Sequence, residues 1–162
     1  MAAPWLGAGA GLALALTPFA ALASMLEVRD AQGAALLSWP MAEGERWCLH
    51  WNHSVAGFLV RDCFATIDGR MMLERSHQPD FAAGLGHIPG RGEMLSAAEG
   101  GYWIEAINEF IPHNCLPLRV GAGAVNHRLV SDDREQSLTE IAEGQSVRLV
   151  LHAPGAEGEN PC

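Results

Sequence analysis

The chain has 162 residues, a formal net charge of −9 and only 18% charged residues. Lys and Arg form no cluster, which argues against a nucleic-acid-binding protein, and the length suits one ordinary domain behind a targeting segment. Eighteen Gly and nine Pro residues fall between short apolar runs, a pattern typical of strands and turns. We therefore predict an all-β fold, an antiparallel β-sandwich over residues 24–152, with an immunoglobulin-like arrangement as one option.

The N-terminal segment is free of charge from Met1 to Leu26 and strongly apolar from Leu12 to Ala23. It ends in Ala21-Leu22-Ala23 before Ser24, which is the A-x-A pattern of a signal-peptide cleavage site. No Lys or Arg precedes the apolar run, and its length also reaches the roughly 20 residues of a membrane-spanning helix. Residues 1–23 are thus predicted to be a signal peptide or a membrane anchor, and either one places the domain in the periplasm or on the extracytoplasmic face of the membrane.

The strands before the centre of the chain are predicted at Met25 to Arg29 and Ala34 to Trp39, around a polar turn. Later apolar runs predict further strands, from Met71 to Arg75, Tyr102 to Ile107, Leu116 to Val120 and His127 to Val130, and a last one containing Val147, Leu149 and Leu151. Ser137 and Glu140 form a capping-box pattern for at most one helical turn. Residues 153–162 are predicted to be a flexible tail that only a disulfide through Cys162 would hold.

The central stretch runs from Trp47 to Val55 and alternates with a period of two. One predicted face is apolar and carries Trp47, Leu49, Trp51, His53 and Val55, whereas the other is polar and carries Cys48, His50, Asn52 and Ser54. Ala56-Gly57 follows, and a strand pattern resumes from Phe58 to Ile67. We predict a β-hairpin with a two-residue turn at Ala56-Gly57.

Four cysteines, Cys48, Cys63, Cys115 and Cys162, permit three sets of disulfide pairings. The predicted hairpin places Cys48 and Cys63 on adjacent strands with side chains on the same face, so we expect a disulfide between them. The alternative is a pair of small buried thiols. No C-x-x-C spacing is present, which excludes a zinc ribbon and a thioredoxin-type redox centre.

The stretch from Ser76 to Gly101 is rich in Gly and Pro and shows no sustained alternation, so we predict a long loop. It contains Asp80 and Phe81, and glycines that let the backbone approach a ligand closely. One interpretation is a lid over a binding site. The other is that Phe81 packs into the edge of the sandwich while the charged side chains are solvated.

Catalytic and metal-binding motifs do not emerge from these spacings. His50 and His53 project from opposite faces of a strand, so they cannot share a metal ion, and no zinc-type ligand set is present. No serine lies in a G-x-S-x-G motif, and Ser54 faces away from His53, which disfavours a serine hydrolase. The glycines from Gly84 to Gly90 lack the spacing of a dinucleotide site. We therefore predict no enzyme activity, no metal and no cofactor.

A weak binding constellation consists of His53, Ser54 and His127, which could meet at one end of the sandwich. Imidazole and hydroxyl groups can hydrogen-bond a small anion or the backbone of a partner. The alternative is that these histidines satisfy core carbonyls. With Asp80 and Phe81 from the long loop, these residues form the predicted binding site.

Several short motifs resemble one known family: His53-Ser54-Val55, Phe81 to Gly86, Leu118 to Gly121, and His127-Arg128-Leu129. In order and spacing they resemble family 1850 of the domains of unknown function, over roughly Leu26 to Leu151. Its members are small exported or membrane-anchored bacterial proteins, often encoded beside TRAP transporters of the TAXI type. The resemblance implies an accessory role in solute uptake, with a TRAP transporter subunit or a solute-binding protein as partner.

The function predicted from the sequence is that of an exported, non-enzymatic accessory or binding protein linked to a TAXI-type TRAP system. The first alternative is a periplasmic module that binds a small ligand, with residues 76–101 as its lid. A hydrolase ranks last, because it would need His53, Ser54, Asp80 or His127 in an arrangement that the spacing does not support.

Overall fold

A computed structural model describes residues 23–55, 57–79, 88–156 and 162. The predicted signal peptide or anchor lies outside these residues, apart from Ala23. Within the described ranges no helix is long and apolar enough to cross a membrane. The strands are β1 Ser24–Arg29, β2 Ala35–Met41, β3 Arg46–Asn52, β4 Leu59–Ile67, β5 Arg70–Gln78, β6 Glu93–Ser96, β7 Tyr102–Glu105, β8 Glu109–Phe110, β9 Cys115–Arg119, β10 Arg128–Ser131, β11 Glu135–Ser137 and β12 Ser146–His152; a 3-10 turn spans Pro112–Asn114 and helix α1 spans Leu138–Ala142.

Two antiparallel sheets pack together, which confirms the predicted all-β sandwich. The smaller sheet has the strand order β2-β1-β12-β9. The larger sheet has the order β11-β10-β3-β4-β5-β7-β6, with β8 paired to β5 beside this path. Helix α1 is the single turn that the capping box predicted, and the Ser137 hydroxyl accepts the backbone N–H of Glu140.

The core lies between the inner faces of the two sheets, where alternate residues of each strand meet. Leu26 and Val28 of β1 are buried with Leu149 of β12 in the smaller sheet. In the larger sheet the rings of Trp47 and Phe64 stack with centroids 4.4 Å apart. Trp47 is 1% exposed, so the apolar face predicted for β3 is the buried one.

The central hairpin pairs β3 with β4 in the register that opposes Cys48 to Cys63. These two cysteines form the predicted disulfide, with Cα atoms 4.0 Å apart. The predicted two-residue turn is wrong, because β3 ends at Asn52 and β4 begins at Leu59. On the other edge of β3, the backbone N–H of Asn52 donates to the Val125 carbonyl in the segment that precedes β10.

The tip of the same hairpin is a wider loop over residues 53–58. The backbone N–H of His53 donates to the Phe58 carbonyl, and that of Gly57 donates to the His53 carbonyl. Val55 is 89% exposed and so lies outside the apolar face assigned to it from the sequence. Ala56 is not among the described residues.

A second disulfide joins Cys115 of β9 to Cys162. The sequence predicted that only a disulfide through Cys162 would hold the tail, and this bond is such a disulfide. Two disulfides indicate a protein of an oxidising, extracytoplasmic compartment.

A β-bulge in β5 decides which side chains enter the sandwich. Cys63 pairs with Arg75 while Phe64 pairs with Leu73, so Glu74 is an extra residue on β5. The bulge shifts the alternation by one, and Ser76 and Gln78 therefore point inward on the same face as Leu73.

The predicted uninterrupted loop from Ser76 to Gly101 is wrong at both ends. Ser76 to Gln78 complete β5, and Glu93–Ser96 form β6. The end of β5 could not be recognised in the sequence, because the residues after the bulge alternate out of phase with those before it. Asp80 and Phe81 lie outside the described residues.

Candidate functional site

A cavity of about 600 Å³ opens between the two sheets. Volumes of 300–1,000 Å³ are typical of sites for small ligands. Its apolar walls come from both sheets and the segments beside them, and they comprise Leu49, Phe64, Leu73, Ile104, Ile111, Leu116, Leu118 and Val125. These side chains provide a hydrocarbon surface with few hydrogen-bonding atoms.

Four polar side chains form a connected network in the wall contributed by the larger sheet. The Ser76 hydroxyl donates to Asp62 Oδ1 over 2.6 Å, and the indole N–H of Trp51 donates to Asp62 Oδ2 over 3.3 Å. Gln78 Nε2 in turn donates to the Ser76 hydroxyl over 2.8 Å. Asp62 thus occupies the centre of a polar network within an otherwise apolar cavity.

Asp62 is placed inward by the strand register, opposite Leu49. Asp62 lines the cavity and is partly buried. Burial raises the pKa of Asp62, while the hydrogen bonds from Ser76 and Trp51 and the charge of Arg91 act in the opposite direction. The carboxyl group is therefore easier to protonate than an ordinary aspartate.

Gln78 is 1% exposed and lines the cavity. Its amide nitrogen is engaged by Ser76, but its Oε1 atom has no hydrogen-bond partner. A buried amide oxygen without a donor costs free energy, and such groups are rare in folded proteins. The arrangement is therefore suited to a ligand that brings a donor.

Arg91 brings a positive charge to the cavity from the segment that precedes β6. Its guanidinium group makes two contacts with Glu109, from Nε over 2.9 Å and from Nη2 over 2.8 Å. Glu109 raises the pKa of Arg91 and so holds it charged. Arg91 belongs to the stretch that the sequence interpreted as a lid.

His127 precedes β10, lines the cavity and is 7% exposed, and its ring centroid lies 6.3 Å from that of Trp51. Its Nδ1 atom accepts the backbone N–H of Gly121 over 3.0 Å. Burial lowers the pKa of His127, so the neutral ring is favoured. With Nδ1 accepting, the neutral ring carries its proton on Nε2, which is then a donor.

Of the predicted residues His53, Ser54 and His127, the two histidines each lie beside Trp51. Trp51 lies between the two histidines, with ring centroids 6.4 Å from His53 and 6.3 Å from His127. Ser54 and His127 line the cavity. The binding role of these residues remains a prediction, as do the roles of Asp80 and Phe81, which the structure does not describe.

Sequence reasoning missed Asp62, Ser76 and Gln78. Asp62 had a signal, because it occupies an inward position between Val60 and Phe64, where a charged residue is unexpected. Ser76 and Gln78 had none, since the bulge at Glu74 put them out of phase.

Chemically, the arrangement is better suited to binding than to nucleophilic catalysis. The Ser76 hydroxyl hydrogen-bonds the Asp62 carboxylate and the Gln78 amide rather than an imidazole base. Within the described ranges, no three His, Cys, Asp or Glu side chains are grouped so that they could hold a metal ion. The apolar walls and the polar network have the composition of a small-ligand pocket.

The fold and cavity define a disulfide-linked β-sandwich with an internal pocket. A family model described as "Domain of unknown function (DUF1850)" matches residues 48–138, which is more than half of the chain. The chain belongs to this family, which agrees with the resemblance of its motifs. Searches of curated proteins and of solved structures each found no match.

Proposed function

We propose that this chain is an exported, non-enzymatic binding protein whose sandwich cavity holds a small ligand. The observation that carries the proposal is the cavity itself, with apolar walls on both sides and the network of Trp51, Asp62, Ser76 and Gln78 in one of them. Such a division suits a ligand with a hydrocarbon body and one polar group. Arg91, which precedes β6 and lines the cavity, belongs to residues 76–101, the stretch proposed as the lid.

The proposed physiological setting is a TAXI-type TRAP transport system. Support comes from membership of the domain-of-unknown-function family, whose members the motif resemblance links to such transporters. The chain would present or accept a solute for a transporter subunit or a solute-binding protein. Biolayer interferometry between the purified protein and the TAXI receptor encoded in the same genome tests this partner, and absence of binding with and without solute would exclude it.

Export by a cleaved signal peptide is part of the proposal. Strand β1 begins at Ser24, the residue that follows the A-x-A pattern. Cleavage there leaves the first strand complete. Intact-mass measurement on protein from the native host should give a chain that starts at Ser24, whereas a chain retaining Met1 in the membrane fraction would indicate an anchor.

The cavity is tested with a small neutral probe, benzyl alcohol. We expect calorimetry to show saturable binding and the melting temperature to rise. Leu73→Trp should abolish binding, because the larger side chain fills the cavity that Leu73 lines. Leu36→Trp, at an exposed position in the smaller sheet, is the matched control and should bind normally. If the wild-type protein does not bind the probe, the cavity is not a site for small neutral ligands.

A further inference from the structure

We propose that the ligand of this cavity is an organic cation, a primary ammonium group on a hydrocarbon body, and that Asp62 and Gln78 hold the ammonium group. This inference rests on the proposed function, since it names the class of ligand for the same cavity. It follows from the acceptors in the cavity wall, their charge and their neighbours.

The first argument concerns the unsatisfied acceptor. Gln78 Oε1 lies in a side chain that is 1% exposed, and it has no donor. The orientation of the amide is fixed by the chain of donors, because Nε2 donates to Ser76 and Ser76 donates to Asp62. The oxygen is therefore left as the free end of the network, and a ligand must bring an N–H or O–H group to satisfy it.

The second argument concerns charge. Asp62 receives its two side-chain hydrogen bonds from neutral donors, the Ser76 hydroxyl and the Trp51 indole. Each carboxylate oxygen can accept a further hydrogen bond. Arg91, the cation whose charge acts on Asp62, is held by two contacts to Glu109. A buried carboxylate in this setting gains most from a cation that enters the cavity.

The third argument concerns the shape of the ammonium group and its surroundings. An ammonium carries three donors, enough for the Asp62 carboxylate and for Gln78 Oε1, whose side chains are linked through Ser76 by hydrogen bonds of 2.6 and 2.8 Å. The apolar walls formed by Phe64, Leu73 and Leu118 then accommodate the hydrocarbon body.

An anionic head group fits this wall poorly. A carboxylate placed beside Gln78 Oε1 and Asp62 would meet two acceptors and a like charge. Arg91 and Arg119 also line the cavity, but the guanidinium group of Arg91 is held by Glu109 and Arg119 is exposed. His127 is favoured in its neutral form and supplies one donor without a charge. The head groups are therefore expected to bind in the order ammonium, hydroxyl, carboxylate.

The test uses three probes with one hydrocarbon chain: hexylamine, 1-hexanol and hexanoate. Calorimetry at neutral pH should show hexylamine binding at least tenfold more tightly than 1-hexanol, with hexanoate weakest. Asp62→Asn should reduce the preference for the amine to less than threefold while 1-hexanol still binds. Asp30→Asn, the same carboxylate-to-amide change at the exposed turn between β1 and β2, should leave all three affinities unchanged.

A second variant, Gln78→Leu, keeps the proposal testable if Asp62→Asn does not fold. Gln78→Leu removes the unsatisfied oxygen, keeps the carboxylate, and should weaken hexylamine binding at least threefold with 1-hexanol binding retained. Near-ultraviolet circular dichroism verifies the fold of both variants. The proposal is wrong if wild-type protein binds 1-hexanol or hexanoate as tightly as hexylamine, or if both variants keep the tenfold preference. In that case benzyl alcohol binding still supports the proposed function; if no probe binds, both fail.

Discussion

His127 accepts the backbone N–H of Gly121 at its Nδ1 atom over 3.0 Å. The same residue donates its own backbone N–H to the Thr139 hydroxyl, which in turn donates to the Gly121 carbonyl. One histidine thereby joins the connection before β10 to the helical turn α1, and its ring still reaches the cavity. A structural and a binding role are therefore combined in one residue that the sequence singled out.

His127→Ala should lower the free energy of unfolding by about 1 to 3 kcal/mol, because the partly buried Gly121 N–H loses its acceptor. His53→Ala, in the half-exposed loop, should cost less than about 1 kcal/mol. Guanidinium chloride unfolding of the two variants measures the difference. Equal losses would mean that the Gly121 bond contributes little in solution.

The free energy of unfolding should depend on pH through the His50 side chain. This ring lies on the outer face of the larger sheet, directly opposite Arg128 on one neighbouring strand and Arg61 on the other. Burial, then the charges of Arg128 and Arg61, lower the pKa of His50 to about 4. In the unfolded chain its pKa is the ordinary one, near 6.5.

A histidine pKa that is lowered in the folded state makes protonation favour unfolding. The free energy of unfolding should therefore be independent of His50 above pH 6.5 and should decrease as the pH falls from 6.5 towards 4. The loss should be about 1 to 2 kcal/mol, allowing for solvent screening of a half-buried ring. His50→Gln should flatten the unfolding free energy over this pH range, while His113→Asn, at an exposed position with positive φ, should not. An unchanged slope in His50→Gln would assign the dependence to other groups.

The facing of the side chains in the central hairpin could be predicted because its information is local. Alternation from Trp47 to Trp51 and the facing of Cys48 and Cys63 follow from a period of two, and the structure shows both. The turn could not be predicted in the same way. The wider loop is closed by the backbone bonds from His53 to Phe58 and from Gly57 to His53, and period-two alternation carries no information about them.

The polar network could not be predicted from the sequence for a related reason. The extra residue Glu74 reverses the facing of every later residue in β5, and no feature of the sequence marks it. Ser76 and Gln78 therefore resembled the start of a loop. Asp62 could be recognised as a charged residue at an inward position. Its place in the network could not, because it depends on Ser76 and Trp51, which only the folded sheet brings next to it.

The two disulfides should differ in their contribution to stability. Cys48–Cys63 closes a loop with a sequence separation of 15, and Cys115–Cys162 one of 47. Loop-closure entropy predicts losses of about 3 and about 4 kcal/mol on replacement of each pair by alanine. Guanidinium chloride unfolding of the two double variants compares them. A larger loss for the Cys48 and Cys63 pair would show that packing within the hairpin outweighs chain entropy.

Ser76 and Gln78 make opposite predictions for stability, although both are buried in the same network. Ser76→Ala removes the donor to Asp62 and leaves Gln78 Nε2 without an acceptor, so it should cost about 1 to 3 kcal/mol. Gln78→Leu removes an oxygen that already lacks a partner and keeps a similar apolar volume in the cavity wall. It should leave the free energy of unfolding unchanged or raise it by up to about 1 kcal/mol.

Unfolding in guanidinium chloride without ligand decides between these outcomes, with Gln145→Leu at an exposed position as the control for the glutamine-to-leucine change. The control should stay within about 0.5 kcal/mol of wild type. A Gln78 variant more stable than wild type but impaired in hexylamine binding would mark Gln78 as a residue kept for the site rather than for the fold. If Gln78→Leu is instead as destabilising as Ser76→Ala, the amide is structural, because its bond to Ser76 then outweighs its unsatisfied oxygen.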